Sequence, residues 1–203
     1  MQLIGSLTSP FVRKIRIQLL EKGLPFSLLE EIPWNADTSV PKFNPLGKVP
    51  VLIDEHGEIW FDSPVIAEYI ETLETRHRLI PIKSIDAVRV RQLEALADGV
   101  CEAAIAIFLE KKRPTERQGP EWITRQEQKV ERGLAALEKA TVGKHWVYED
   151  HLTLADIAIG SVVGWYDFRF GDSGWRNNHP HLADYVDRLF KRDSFIQTQP
   201  PES

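Results

Sequence analysis

Hydrophobic and polar positions change their spacing several times in the first 75 residues. Short apolar runs at residues 2–6 and 24–32 are typical of strands, and residues 11–22 between them repeat apolar side chains at helical spacing. Two apolar runs around residues 54–57 then predict a hairpin, and a further helix follows. The side chains predicted to face inward from that helix are Val65, Ile66, Tyr69, Ile70 and Leu73. The order is β-α-β followed by β-β-α.

The remainder of the chain has an entirely helical pattern. Helices are predicted over residues 84–111 and 120–140, from residue 153 onward, and over 180–192, and residues 198–203 ("TQPPES") are predicted to be a frayed tail. We therefore expect an α+β N-terminal domain followed by an all-α helical-bundle domain. The predicted domains span residues 1–78 and 84–203, and they join near residues 79–83.

Composition and charge narrow the functional classes. The chain has 203 residues and a net charge of −5, whereas general nucleic-acid binders need a basic face, so we expect no nucleic-acid partner. No apolar run reaches 18 residues and no leader pattern is visible, so we expect a cytoplasmic protein that does not bind membranes. Cys101 is the one cysteine and lies in an apolar helical row, which favours a core position. The histidines lack metal-ligand spacing, so no metal site is expected.

Two Ser-Pro pairs mark places where chemistry is expected. Ser9-Pro10 and Ser63-Pro64 each follow a predicted strand and have the pattern of a helix start, with a hydroxyl at the N-cap and proline at the first helical position. Helix N-termini with unpaired N–H groups bind anions. Asp62 directly precedes the second pair, and a carboxylate beside an anion-binding N–H suits a zwitterionic ligand.

Val49-Pro50 is the third candidate. A proline that opens a strand is confined to special positions, and a cis Val-Pro bond there would leave the Val49 backbone available to an extended peptide. A zwitterion site, a peptide-pairing edge and a helix-cap hydroxyl together fit a small γ-glutamyl thiol peptide.

The segments that carry these features resemble a known family. "TSPFVRK", "NPLGKVPVL" and "FDSPVIAEYI" are similar to the glutathione-site segments of cytosolic glutathione S-transferases, and the order of elements is similar to their thioredoxin-like domain followed by an all-helical domain. "LTLADIAIG" resembles the capping box of the family's second domain, where Thr153 would cap a helix and Asp156 would reach back to it. Leu152 would pack on Ile157 in the accompanying staple.

The resemblance implies a glutathione site, residue by residue. The Val49 backbone would pair with the cysteinyl part, and Asp62 and Ser63 would hold the γ-glutamyl end. Ser9 falls where omega-type members have a cysteine, which makes this chain a serine-type bacterial member; Thr8 and Ser6 remain alternatives for the thiol contact. For the glycyl end the chain has Ala36 where omega-type members have a basic residue, and Asn35, Trp34 and Lys48 are the candidates. The full predicted set is Ser9, Phe11, Asn35, Lys48, Val49, Pro50, Asp62 and Ser63.

The implied activity is transfer of glutathione, as co-substrate and without any other cofactor, to an electrophilic small molecule in detoxification. Phe11, Phe108, Trp165 and Phe168 are the candidates for the second-substrate pocket. A homodimer is expected, and Asp98 falls where several classes place an acidic residue that acts across the dimer interface.

Two other functions within the same fold stay open. One is a non-enzymatic regulator similar to the stringent starvation proteins, which bind RNA polymerase. The other is an isomerase similar to the zeta class, although the zeta "SSCS"-like stretch is replaced here by "SLTS".

Overall fold

A computed structural model describes residues 1–73, 75, 77–148 and 150–201. The chain forms two compact units, one of Met1–Ile80 together with Lys191–Ser203 and one of Pro81–Phe190. The units join near residue 80, whereas the sequence analysis assigned residues 1–78 and 84–203 to the two domains. The segment that starts at Lys191 is part of the first unit instead.

The first unit is built on a four-stranded mixed sheet in the order β2-β1-β3-β4. The strands are β1 (Gln2–Gly5), β2 (Ser27–Glu30), β3 (Val51–Ile53) and β4 (Ile59–Trp60). β1 pairs parallel with β2 and antiparallel with β3, and β3 pairs antiparallel with β4. Helix α1 (Pro10–Glu21) makes the crossover between β1 and β2, and α2 (Ser63–Thr72) follows β4. The predicted β-α-β, β-β-α order is confirmed.

Buried apolar rows join these helices to the sheet. Ile15 on α1 and Ile66 and Ile70 on α2 have no exposed surface. Val65 was predicted to face inward but is 45% exposed, because it lies in the first turn of α2 on the side away from the Ile66 row. Gly5 lets β1 lie close to α1, since a Cβ atom there would sit 2.3 Å from the Val12 side chain.

The segment after Lys191 packs into the first unit, and its buried part extends to Thr198, the first residue of the predicted frayed tail; residues 202 and 203 of that tail lie outside the described residues. This segment contains α8 (Asp193–Ile196), and both Phe195 and Thr198 are fully buried. The Arg13 guanidinium donates hydrogen bonds to the Phe195 carbonyl (3.2 Å) and the Thr198 hydroxyl (3.4 Å). Glu21 accepts two hydrogen bonds from Arg192, at 3.0 and 2.8 Å. Polar side chains of α1 therefore hold this segment, which explains why an apolar-pattern reading missed it.

The second unit is all-helical. Its helices are α3 (Ser84–Lys111), α4 (Pro120–Thr141), α5 (Leu154–Phe170), α6 (Trp175–Asn178) and α7 (Pro180–Leu189). α3 packs against both α4 and α5, and Gly133 permits a close α4 approach because a Cβ atom there would lie 2.1 Å from Val100. Cys101 is buried in α3, as predicted. Within the described residues, no helix is both long and apolar enough to span a bilayer.

The predicted cap of α5 is confirmed. Thr153 is the N-cap, and its N–H and hydroxyl both donate to the Asp156 carboxylate at 2.7 Å. Leu152 and Ile157 are buried, as a hydrophobic staple requires. Asp156 has additional partners that the local motif does not predict, since the Val147 N–H and the Tyr185 hydroxyl also donate to it.

Candidate active site

Ser9 lies at the N-terminus of α1, and its hydroxyl donates no hydrogen bond to any of the described residues. It is the N-cap, and its Oγ accepts a hydrogen bond from the Val12 N–H at 3.3 Å. Pro10 follows in the first turn, which contains no acidic side chain. Because Oγ acts as an acceptor toward the helix, its O–H is available to donate outward. A hydroxyl donor at the positive end of a twelve-residue helix favours an anion.

The structure distinguishes the other two hydroxyls near this helix end. Ser6 is buried, and its Oγ lies 3.0 Å from Thr8 Oγ1 and accepts from the Thr8 N–H at 3.3 Å. Thr8 and Ser9 are half-buried. The Ser6 carbonyl also accepts from the Ser9 N–H at 3.1 Å. Ser6 therefore holds the turn before α1, and Ser9 and Thr8 are the two hydroxyls that remain accessible to a ligand.

The backbone at Val49 offers an unpaired peptide edge. The Val49-Pro50 bond is cis, as the sequence suggested, and β3 begins two residues after Val49. Within the described part of the chain, the Val49 N–H and C=O have no hydrogen-bond partner. An extended peptide can pair with such an edge.

Asn44, which the sequence analysis did not identify, supports this edge. It is buried, and its side-chain amide donates to the Lys48 carbonyl at 2.9 Å while its Oδ1 accepts from the Leu46 N–H at 3.0 Å. These two bonds fix the loop that delivers Val49. The Asn-Pro dipeptide at residues 44–45 is a turn signal, and this signal marks the position but not its partner.

Asp62 and Ser63 are arranged differently from Ser9 and Pro10. Asp62 is the N-cap of α2 and makes no side-chain capping bond, and Ser63 is the first helical residue. The two Ser-Pro pairs are therefore not structural equivalents, which corrects the prediction. This arrangement favours the binding of an anion, because among the described residues the N–H groups of Ser63 and Val65 have no hydrogen-bond partner. These donors attract a carboxylate, and the exposed Asp62 carboxylate beside them attracts an ammonium group. The Phe61-Asp62 bond is also cis.

Asp54 organises the β3–β4 hairpin from which this helix departs. Burial alone would raise the pKa of Asp54, but donors from Trp60, the backbone of Glu58 and His56, and Tyr69 outweigh it and lower the pKa to about 2. The four bonds span 2.8 to 3.1 Å. The Trp60 and Tyr69 rings stack with centroids 4.5 Å apart. The carboxylate therefore holds β4 and α2 in one arrangement.

The three side chains predicted to contact the glycyl end of glutathione all lie on the surface. Trp34 is 72% exposed, and Asn35 and Lys48 are exposed as well. Trp34 and Asn35 lie in a loop that Glu31 closes by accepting hydrogen bonds from Thr38 and Ser39. The three side chains are accessible, and no contact among them selects one.

The second-substrate candidates are divided between the units. Phe11 is half-buried in the first unit, with the Lys14 ammonium 5.9 Å from its ring centroid. Phe108, Trp165 and Phe168 are in the second unit. Phe108 meets Trp165 edge to face at 6.0 Å, and the Arg169 guanidinium lies 5.0 Å from Phe108 and 4.4 Å from Phe168. Asp98 is half-buried on α3. The described residues contain no group of three or more histidine, cysteine or acidic side chains placed to hold a metal ion.

Comparison with known proteins places the chain in a family. Residues 8–73 match the family model "Glutathione S-transferase, N-terminal domain", and residues 120–188 match "Glutathione S-transferase, C-terminal domain". The chain is 47% identical to the GST-like protein YibF of Escherichia coli (strain K12) over 203 residues, which covers 100% of both proteins.

Two solved structures are similar over nearly the whole chain. A glutathione S-transferase from Methylobacterium radiotolerans in complex with glutathione sulfonate has 39% identity and a TM-score of 0.95, covering 100% of this chain and 95% of that one. A glutathione S-transferase from Methylobacillus flagellatus with glutathione bound has 37% identity and a TM-score of 0.95, covering 98% and 99%. The chain belongs to the glutathione S-transferase family.

Proposed function

We propose that this glutathione transferase activates glutathione through the Ser9 hydroxyl and directs the thiolate to an electrophilic small molecule. The observation that carries the proposal is the state of the Ser9 hydroxyl, whose oxygen accepts from the Val12 N–H and whose proton is left to donate. The glutathione sulfur would accept a hydrogen bond from the Ser9 hydroxyl at the positive end of α1. Ser9 stabilises the thiolate and does not attack the substrate.

The rest of the glutathione molecule would be held by the other groups on the same unit. The γ-glutamyl carboxylate would accept from the unpaired N–H groups of Ser63 and Val65, and its ammonium would pair with Asp62. The unpaired Val49 N–H and C=O would pair with the cysteinyl residue. An ammonium, a carboxylate and a short peptide backbone are the groups that this set of partners recognises.

Stabilising the thiolate accounts for only a small part of the rate acceleration. A thiol with a pKa of about 8.5 is roughly 3% ionised at pH 7, and lowering the pKa to about 6.5 makes it roughly 75% ionised. The less basic thiolate is less nucleophilic, and with a Brønsted slope near 0.45 the net gain is roughly threefold. Most of the acceleration must therefore come from holding the electrophile beside the sulfur.

The reaction follows from these roles. The cysteinyl thiol loses its proton to solvent, the sulfur forms a bond to an electrophilic carbon, and a displaced group leaves with its bonding electron pair. We further propose a cytoplasmic, homodimeric enzyme of detoxification. Support for association comes from α3 and the residues before it, where Ile82, Ile85 and Val88 are 81%, 51% and 60% exposed at helical spacing. Asp98 is on the same helix and is the candidate for a contact across the dimer interface.

The test is calorimetric titration with glutathione, followed by turnover of 1-chloro-2,4-dinitrobenzene and of cumene hydroperoxide. Binding together with turnover supports the proposal. Binding without turnover of either compound favours the non-enzymatic regulator, and absence of binding overturns the assignment of the site.

A further inference from the structure

Two polar contacts in the interior of the first unit join α1 to α2. The Gln18 side-chain amide donates to the Ala67 carbonyl at 3.1 Å, and the Lys22 ammonium donates to the Glu71 carboxylate at 3.0 Å. All four residues are buried. Side chains that can form hydrogen bonds therefore lie at a helix–helix contact where apolar packing alone would be expected.

The order of these contacts shows that α1 and α2 run in the same direction. Gln18 and Lys22 are one helical turn apart on α1, and their partners Ala67 and Glu71 are one turn apart on α2 in the same order. The sheet gives the same result, because β1 and β4 run in the same direction and each is followed directly by its helix. The N-termini of α1 and α2 therefore lie at the same end of the helix pair.

Gln18 uses only part of its buried amide. Its Oε1 is inaccessible to solvent and has no hydrogen-bond partner among the described residues. Lys22 and Glu71 differ, because Lys22 also donates to the His77 carbonyl at 3.0 Å and Glu71 accepts from the Leu79 N–H at 3.3 Å. A buried acceptor without a partner destabilises the folded state, whereas an apolar side chain of the same shape does not. Stability alone would therefore favour an apolar residue at position 18.

We propose that Gln18 is a positioning residue for glutathione, because its hydrogen bond sets the position of α2 along the axis of α1. Apolar contacts are non-directional, whereas a hydrogen bond has a preferred distance and angle. The position of α2 decides where Ser63 and Val65 present their N–H groups relative to the Ser9 hydroxyl. The inference rests on the proposed transferase function, in which one glutathione molecule contacts the N-termini of both helices.

The experiment replaces Gln18 with methionine, which has a similar size and cannot donate a hydrogen bond. Urea denaturation should show no loss of stability, because the unpaired oxygen is removed and the Ala67 carbonyl keeps the donor that the helix supplies. Calorimetry should show about five- to thirtyfold weaker glutathione binding, as expected when a charge-assisted hydrogen bond is weakened. Binding of cysteinylglycine, which lacks the γ-glutamyl group, should be unchanged.

The pKa of the bound glutathione thiol is a second readout. When the γ-glutamyl contacts move relative to Ser9, the sulfur no longer lies at its best distance from the hydroxyl, so the thiol pKa should rise by about half a unit or more. Gln128→Met, at an exposed position on α4, is the matched control. It should change neither glutathione affinity, nor the thiol pKa, nor stability.

Several results would overturn the inference. If Gln18→Met is less stable than wild type or fails to fold, Gln18 is a structural residue. Unchanged glutathione affinity, or equal losses for glutathione and cysteinylglycine, would show that the hydrogen bond does not position the γ-glutamyl contacts.

A measurement without ligand separates this inference from the proposed function. In nuclear magnetic resonance spectra of the free protein, the amide signals of Ser63 and Val65 should move in Gln18→Met and stay in place in Gln128→Met. Unmoved signals overturn the inference even if wild type binds glutathione. Moved signals in a protein that does not bind glutathione support the coupling of α1 to α2 and count against the proposed function.

Discussion

The hydroxyl of Tyr185 on α7 donates a hydrogen bond to the carboxylate of Asp156 on α5, 29 positions earlier in the chain. Both side chains are almost completely buried, at 2% and 0% exposure. Burial and the neighbouring carboxylate raise the pKa of Tyr185, so its phenol stays protonated and remains a donor. The same carboxylate accepts from the Val147 N–H at 2.9 Å and from Thr153. One side chain thus fixes the start of α5, the segment before it and α7.

Replacing Asp156 should therefore lower the free energy of unfolding by more than the loss of a helix cap alone would. Asp156→Ala leaves buried donors from Thr153, Val147 and Tyr185 without an acceptor, and we expect a loss of about 2–4 kcal/mol in the free energy of unfolding. Urea denaturation measures this loss, and Asp184→Ala, at an exposed position on α7, is the control. Glutathione affinity of the folded variant should be unchanged. Weakened affinity at unaltered stability would contradict a structural role.

Ser9→Ala should raise the pKa of the bound glutathione thiol by about one unit or more, because it removes the hydrogen bond that stabilises the thiolate. Glutathione affinity should change little, and stability should fall by about 1 kcal/mol through loss of the cap to Val12. The measurement is a pH titration of thiolate ultraviolet absorbance in the complex. Thr8→Val serves as the matched variant, and a shift in Thr8→Val together with none in Ser9→Ala would transfer the role to Thr8.

Ser9→Cys extends the same reasoning. A cysteine thiol at a helix N-terminus is acidified and becomes a better nucleophile toward disulfides. We expect this variant to gain thiol–disulfide exchange activity with glutathione and a mixed-disulfide substrate while losing transferase activity. Mass spectrometry of a glutathione adduct on residue 9 checks the first part. No adduct under oxidising conditions would show that residue 9 does not face the thiol.

Asp62→Ala should weaken glutathione binding by about 1–2 kcal/mol, or roughly five- to thirtyfold. The effect is moderate because the Asp62 carboxylate is exposed and makes no side-chain cap, so solvent screens its pairing with an ammonium group. Calorimetry with glutathione measures the loss. γ-Glutamyl-free cysteinylglycine is the companion ligand, and its affinity should not respond to the substitution. An equal response of both ligands would place Asp62 outside the γ-glutamyl contact.

Asp54 gives a pH dependence of stability with a definite sign. Its pKa is about 2 in the folded protein against an ordinary value of 3.8. The unfolded chain therefore takes up a proton at a higher pH than the folded protein does. The stabilisation is complete above pH about 4 and is lost as the pH falls from there through 2. Urea denaturation of Asp54→Asn across this range should show a flatter pH dependence than wild type, whereas equal slopes would contradict the assignment.

The parts of this protein that the sequence predicted depend on local signals. Helix α3 has the predicted bounds, because its apolar rows are long and regular. Ser9 and Thr153 were recognised as caps because a cap and its partners lie within three or four residues of one another. The edge at Val49 was predicted from one dipeptide, since proline constrains its neighbour strongly.

Long-range polar partnerships could not be predicted in this way. Nothing near Glu21 in the sequence indicates Arg192 as its partner, and nothing near Asp156 indicates Tyr185, because hydrogen bonds between distant residues leave no periodic pattern. Residue Ser63 was misplaced by one position for a related reason. Its Ser-Pro dipeptide matches that at Ser9, and only the backbone conformation shows that Asp62 is the N-cap and Ser63 the first helical residue.

Because the chain returns to its first unit at Lys191, some contacts of that unit can form only at the end of translation. The ribosome releases residues 1–80 well before the residues that cover Arg13, whose burial lowers the pKa of its guanidinium to about 10. Until Phe195 and Thr198 emerge, that guanidinium lacks their two oxygen acceptors. The helix that carries Ser9 at its N-terminus is thus completed last, after the whole helical unit has been translated. The packing of the first unit around α1 is therefore completed only when the last helix, α8, has been translated.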